Sequence, residues 1–244
     1  MKKNEQYLES CGGIKAPNLD YPMNNDTELI FIIDRSGSMS GFEGDTVGGF
    51  NSTIEKQKKG DGKIYVSTVL FDNKSELIHD RVAIDKIAPM TVEDYQVGGC
   101  TALLDAIGGA ICHIADVHKY IRPEDVPAHT IFVITTDGME NASSTYTTTR
   151  VKEMIKKQTK KCGWEFIFLA ANIDAIGTAG HIGIRADRAA KYTQSSDGFG
   201  ACYDAVNTFC SMSRSCTIKD NPTGIGADWK KSLEENEKCI ENNK

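Results

Sequence analysis

Residues 29–40 read LIFIIDRSGSMS, and this stretch decides the fold that the sequence predicts. An apolar run rich in isoleucine ends abruptly at Asp34, and Ser36 and Ser38 follow at alternating positions. An uninterrupted apolar run of this kind is typical of a buried strand in a parallel sheet. In open α/β sheets, ligands bind just beyond the carboxyl ends of such strands. These three side chains therefore lie where a site is expected, and their oxygens suit a hard cation such as Mg²⁺.

Predicted strands and helices alternate along the rest of the chain. Further buried strands are expected at residues 64–71, 130–136 and 164–169, and helices at 44–59, 102–120, 149–161, 174–182 and 198–214. Residues 75–82 are expected to form an antiparallel edge strand, and residues 189–192 a last edge strand. This alternation predicts an α/β fold with a doubly wound, mostly parallel sheet that carries helices on both faces.

The chain is predicted to divide into three parts. Residues 1–26 form an N-terminal extension, residues 27–215 form the α/β domain, and residues 216–244 form a polar C-terminal tail. Within this tail, a short helix is expected over residues 228–240.

A second predicted strand, TIFVITT at residues 130–136, also ends at an aspartate, Asp137, and Thr101 lies in a glycine-rich loop before a predicted helix. In a doubly wound sheet, this strand and the first strand lie side by side near the switch point, so their carboxyl ends converge. We therefore expect one cluster that contains Asp34, Ser36, Ser38, Thr101 and Asp137.

This cluster resembles the metal-ion-dependent adhesion site of the von Willebrand factor type A domain. The resemblance rests on D-x-S-x-S at residues 34–38, Gly99-x-Thr101 and Thr136-Asp137-Gly138, which occur in matching order and spacing. It covers residues 27–215 and implies the Rossmann-like fold of that family. The sequence DRSGSMSG at residues 34–41 also resembles bacterial intracellular members.

The resemblance implies a role for each of the five side chains. The hydroxyls of Ser36, Ser38 and sometimes Thr101 coordinate the cation directly, whereas Asp34 and Asp137 coordinate it directly or through water. The two carboxylates balance a divalent charge, so Mg²⁺ or Mn²⁺ is expected, and Ca²⁺ less so. An Asp or Glu of a protein partner then replaces a water ligand. The implied function is a non-catalytic, metal-dependent protein-binding module with no catalytic residue.

Two other functions stay open from the residues. A Mg²⁺-dependent hydrolase or phosphotransferase could use Asp34, because haloacid-dehalogenase-like phosphatases place their nucleophile at the end of a first strand. Such enzymes need a second aspartate two residues later, where this chain has Ser36. The other possibility is a scaffold whose metal site is closed and purely structural.

Composition argues against several other classes of protein. The formal net charge of the 244-residue chain is −6 and its basic residues are not clustered, so a nucleic-acid partner is not expected. No stretch reaches the length of a membrane span, and the first 25 residues lack the apolar core of a signal peptide, so we expect a cytoplasmic protein. The eight cysteines include no C-x-x-C pair, and the five histidines do not cluster, which argues against a zinc site.

Overall fold

The computed structural model describes residues 25–171, 174–215 and 225–242. A single central sheet forms the middle of the fold in these residues. Its six strands are Thr27–Asp34 (β1), Ile64–Phe71 (β2), Ser75–Ala83 (β3), His129–Thr136 (β4), Glu165–Ala170 (β5) and Ala189–Lys191 (β6). Their order is β3-β2-β1-β4-β5-β6, and β2 and β3 pair antiparallel whereas the other neighbours are parallel. The predicted fold class is therefore confirmed, including the antiparallel edge strand.

Helices cover both faces of this sheet. Within the described residues they are Glu43–Gln57 (α1), Leu103–Tyr120 (α2), Thr148–Cys162 (α3), Ala175–His181 (α4), Ser196–Ser215 (α5) and Lys231–Asn242 (α6). Side chains of α1, α5 and α6 form one apolar core with the sheet, and side chains of α2, α3 and α4 form the other. No helix among the described residues is long and apolar enough to cross a membrane.

The first strand shows why the apolar run is continuous. All eight residues of β1 are buried, because alternate side chains enter opposite cores. Phe31 and Ile33 pack into the core that contains α1 and α5, whereas Ile30 and Ile32 pack into the core that contains α2 and α3. The middle of a strand that is covered on both faces is apolar at consecutive positions, so the run at residues 29–33 indicates a central strand.

The strand order places a crevice at the carboxyl end of β1. The chain runs from β1 outward to β2 and β3 on one side, then returns to β4, β5 and β6 on the other. Ile33 is paired with Thr135, so Asp34, the last residue of β1, and Asp137, the first residue after β4, lie at the same ends of adjacent strands. Loops leave this point in opposite directions, which is where open α/β sheets bind ligands.

The C-terminal segment contributes to the core where the structure describes it. A short 3₁₀ turn, Ala227–Lys230, leads into α6, and Trp229 and Leu233 are fully buried in the core that contains α5. Residues 216–224 and most of the N-terminal extension lie outside the described residues. The division of the chain at residues 26 and 215 therefore stays a prediction.

Candidate metal centre

Four of the five predicted side chains form a continuous set of polar contacts. Asp34 ends β1, and the 3₁₀ turn Gly37–Met39 follows directly. The Ser36 amide donates a hydrogen bond of 2.7 Å to Asp34 Oδ1, and the Ser36 and Ser38 hydroxyl oxygens lie 3.2 Å apart. The Ser38 hydroxyl then donates to Asp137 Oδ1 at 2.6 Å. The ends of β1 and β4 are thus joined through serine hydroxyls.

Thr101 reaches the same place from the loop before α2. A Cβ atom at Gly138 would lie 3.1 Å from Thr101 Oγ1 and 3.5 Å from Ser38 Oγ, so both hydroxyls border this glycine. Thr101 is itself held by Asn141. The side-chain Oδ1 of Asn141 accepts from the Thr101 backbone amide at 2.9 Å, and the backbone amide of Asn141 donates to the Thr101 carbonyl at 3.1 Å. The structure therefore brings all five predicted side chains together.

Glycines let the loop after β1 and the loop before α2 approach each other closely. The Gly37 amide donates to the Gly99 carbonyl at 3.2 Å, and the Gly98 amide donates to the Arg35 carbonyl at 2.9 Å. Gly99 has a φ of +73°, a conformation that favours glycine. These backbone bonds fix the position of Thr101 relative to the turn that carries Ser36 and Ser38.

Asp34 lies beneath the serine hydroxyls and is completely buried. Its Oδ1 accepts from the Ser36 amide and its Oδ2 accepts from the Thr136 hydroxyl at 2.5 Å. Burial raises the pKa of the Asp34 carboxyl, although the hydrogen bonds from Thr136 and Ser36 oppose this rise. Because both oxygens are held by donors, Asp34 orients the turn and supplies negative charge below it.

Asp137 has a second supporting contact that the sequence did not predict. Gln194, in the loop between β6 and α5, donates from Nε2 to Asp137 Oδ2 at 2.7 Å and to the Ser38 carbonyl at 3.0 Å. No motif marks this glutamine, since it follows a three-residue strand in a polar stretch. Thr136 belongs to the motif Thr136-Asp137-Gly138, but its hydrogen bond to Asp34 is not predictable from the sequence, and neither is the contact of Asn141 with Thr101.

The donor atoms fit a small divalent cation. Mg²⁺ takes six oxygens at about 2.0–2.1 Å in octahedral geometry, so neighbouring ligand oxygens lie about 3 Å apart. The Ser36–Ser38 and Ser38–Asp137 oxygen pairs, at 3.2 Å and 2.6 Å, lie on either side of this spacing. Within the described ranges, no group of three or more His, Cys, Asp or Glu residues could hold a metal. A cation here would thus depend on the hydroxyls as well as the two carboxylates.

Two solved structures with the same fold are described as von Willebrand factor domains. A von Willebrand factor type A protein from Catenulispora acidiphila superposes with a TM-score of 0.52 and 14% identity over 75% of this chain and 42% of that one. The von Willebrand factor domain of the type V pili tip protein from Porphyromonas gingivalis has a TM-score of 0.54 and 8% identity, and covers 78% of this chain and 96% of that domain. These likenesses show that the chain has the von Willebrand factor type A fold.

A third structure is similar in its fold and contains a metal. Proximal thread matrix protein 1 from the mussel byssus, solved with a zinc-occupied metal-ion-dependent adhesion site, has a TM-score of 0.53 and 15% identity over 75% of this chain and 45% of that one. The chain spans less than half the length of this structure and of the Catenulispora protein. No family model matches the sequence, and no curated protein matches it.

Proposed function

We propose that this protein is a non-catalytic, divalent-metal-dependent binding module whose site is completed by an Asp or Glu of a protein partner. The observation that carries the proposal is the continuous contact from Ser36 through Ser38 to Asp137, with the Thr101 hydroxyl across Gly138. The proposal includes Mg²⁺ or Mn²⁺ as the cation. It also includes the bacterial intracellular type and the cytoplasmic location predicted from the sequence.

Each side chain has a defined part in this proposal. The hydroxyls of Ser36, Ser38 and Thr101 would hold the cation, and Asp34 and Asp137 would balance its charge from below and beside it. Because the hydroxyls are neutral, they cancel little of the cation's positive charge, and the cation therefore attracts an incoming carboxylate. When bound, the cation supplies an exchangeable position at which an oxygen of that carboxylate replaces water.

The hydrogen bonds of Asp34 support this proposal over the enzymatic alternative. A nucleophilic carboxylate needs an oxygen that is free to attack a substrate atom, in the manner of covalent catalysis. Asp34 is completely buried, and each of its oxygens accepts a hydrogen bond from a neighbouring group. Its geometry suits the support of a turn and not attack on a substrate.

Calorimetric titration of Mg²⁺ and Mn²⁺ into chelator-stripped protein tests the metal site. We expect saturable binding to the wild type, and for Ser38→Ala and Asp137→Asn a loss beyond the roughly 10- to 100-fold that removal of a merely supporting residue costs. Ser40→Ala is the matched control, because Ser40 is an exposed serine two positions after Ser38. Absence of binding to the wild type, or equal binding by all four proteins, would contradict the proposal.

A further inference from the structure

A groove of about 450 Å³ begins beside the candidate metal centre and runs towards α3 and α4. One end is lined by Leu103 and Leu104, which follow Thr101, and by Met139, which follows Gly138. The far side is lined by Lys152 of α3 and by His181 and Ile182 at the end of α4. A ligand bound at the metal centre would therefore lie next to this groove.

The near end of the groove is apolar and reaches the surface through one methionine. Leu103 and Leu104 are 1% and 6% exposed and form its floor, whereas Met139 is 72% exposed. Met139 lies two positions after Asp137, so this large apolar side chain stands next to the predicted ligands. Methionine adapts its shape to a partner surface, which suits an apolar contact beside the metal.

The far end of the groove carries a cation without an acidic partner. Lys152 is half-buried because its aliphatic stem packs against Gly183, where an added Cβ would lie 3.0 Å from Lys152 Cγ. Across the part of the chain that the structure describes, no acidic side chain forms an ion pair with the Lys152 ammonium. His181 also lines this end of the groove.

The acidic residue that lines the groove is already committed elsewhere. Glu140 accepts hydrogen bonds from the amides of Leu104 at 2.9 Å, Ala142 at 3.0 Å and Ser143 at 2.7 Å, and from the Ser143 hydroxyl at 2.8 Å. These donors stabilise its charge and hold its carboxylate against the loop. The charged group in the groove that is left without an ion-pair partner among the described residues is therefore the Lys152 ammonium.

Resting on the proposed function above, we propose that the partner is an acidic peptide segment with three points of contact. One carboxylate completes the metal site, an apolar side chain packs against Met139 over the Leu103–Leu104 floor, and a second carboxylate reaches Lys152. The apolar contact and the second charge select among the many segments that carry an exposed Asp or Glu. Charge complementarity at the end of an apolar groove thus defines the kind of partner.

Phage display with a library of random linear peptides tests this proposal. The Mn²⁺-loaded chain is immobilised, the library is bound, and peptides are eluted with EDTA, so that only metal-dependent binders are sequenced. We expect the eluted pool from the wild type to be enriched in peptides with two acidic residues and an apolar residue. The acidic enrichment should fall to a single position with Lys152→Gln, and the apolar enrichment should be lost with Met139→Ser.

Matched variants separate these effects from general changes in the protein. Lys156→Gln alters an exposed lysine of α3 outside the groove, and Ile176→Ser alters an apolar residue of α4 that is 51% exposed and also outside it. Both controls should select the wild-type pool. A peptide taken from that pool should bind several-fold more weakly to Lys152→Gln than to Lys156→Gln when its Kd is measured by fluorescence anisotropy.

The failure of this inference differs from the failure of the proposed function. If EDTA elutes no peptides above the background of Ser38→Ala, the acidic-peptide proposal is overturned. The proposed function is overturned as well only if the calorimetric titration also shows no Mg²⁺ or Mn²⁺ binding to the wild type. If EDTA elutes acidic peptides but Lys152→Gln and Met139→Ser select the same pool as the wild type, the metal site stands and the groove proposal is overturned.

Discussion

At the scale of single residues, Gln194 ties the loop after β6 to the candidate metal centre. Its side-chain Nε2 donates to Asp137 Oδ2 at 2.7 Å and to the Ser38 carbonyl at 3.0 Å. Gln194 therefore connects the loop that follows β4 with the loop that follows β1. The other oxygen of Asp137 accepts from the Ser38 hydroxyl. Gln194 therefore fixes which oxygen of Asp137 faces the hydroxyls that we propose as metal ligands. Residues that orient metal ligands in this way contribute strongly to affinity.

We expect Gln194→Ala to weaken Mg²⁺ and Mn²⁺ binding by roughly 10-fold, at the lower end of the effect of removing an orienting hydrogen bond. The carboxylate of Asp137 would lose one of its two donors and rotate more freely. Calorimetric titration measures the change, and Gln96→Ala serves as a control because Gln96 is exposed. Equal affinities for the wild type and Gln194→Ala would show that Gln194 has no orienting role.

The sequence predicted the cluster of five side chains because each follows a recognisable feature. Asp34 and Asp137 end apolar strands, and the serines and Thr101 lie in short motifs with glycine. Gln194 could not be predicted, since its place depends on where the loop after an edge strand lies in three dimensions. The same holds for Asn141, which contacts Thr101 from across the site. Supporting contacts between distant loops leave no local pattern in a sequence.

At the scale of elements, α6 is attached to the domain through a tryptophan. Trp229 is fully buried, and its indole Nε1 donates to the Asp187 carbonyl at 2.9 Å. Its ring meets Phe209 of α5 edge to face, with the ring centroids 5.4 Å apart. A buried aromatic ring with a satisfied polar atom stabilises both elements that it contacts. The segment that ends the described chain therefore supports the helix that follows the Gln194 loop.

Trp229→Ala should lower the free energy of unfolding by about 3–5 kcal/mol, because it removes a large buried ring and leaves a cavity. Urea denaturation in the presence of a chelator measures this without a contribution from bound metal. Tyr120→Ala is the control, since Tyr120 is 78% exposed and should cost far less. A loss as small as that of the control would mean that the segment after residue 224 adds little stability.

The strands and helices could be predicted more fully than their packing. Apolar runs and helical spacing indicated the order of the elements, and that order is confirmed. The sequence did not show that Glu28 of β1 is completely buried, with Arg81 donating to its Oε2 at 2.8 Å. Arg81 has a φ of +49° at an irregular part of β3, and such a bulge depends on the pairing of two strands. Local patterns carry no information about this long-range pairing.

At the scale of the whole molecule, two histidines make stability depend on pH. Burial lowers the pKa of His79 on β3, although Asp94 opposes this shift, and burial together with Arg214 lowers the pKa of His129 at the start of β4. The folded state therefore favours the neutral form of both rings. In the unfolded chain a histidine titrates near pH 6.5, so below this pH the unfolded state binds more protons than the folded one.

Stability should therefore fall as the pH drops below about 6.5, by no more than about 1.4 kcal/mol per pH unit for each histidine. Asp34 acts in the opposite direction, because burial raises its pKa and the folded state then takes up a proton more readily as the pH falls. Comparing the wild type with the His79→Gln/His129→Gln variant removes the part due to Asp34, which is common to both proteins. Chelator-stripped samples unfolded in urea between pH 5 and pH 8 should show that the variant loses less stability on acidification. Identical pH profiles would mean that neither ring is held in its neutral form by the fold.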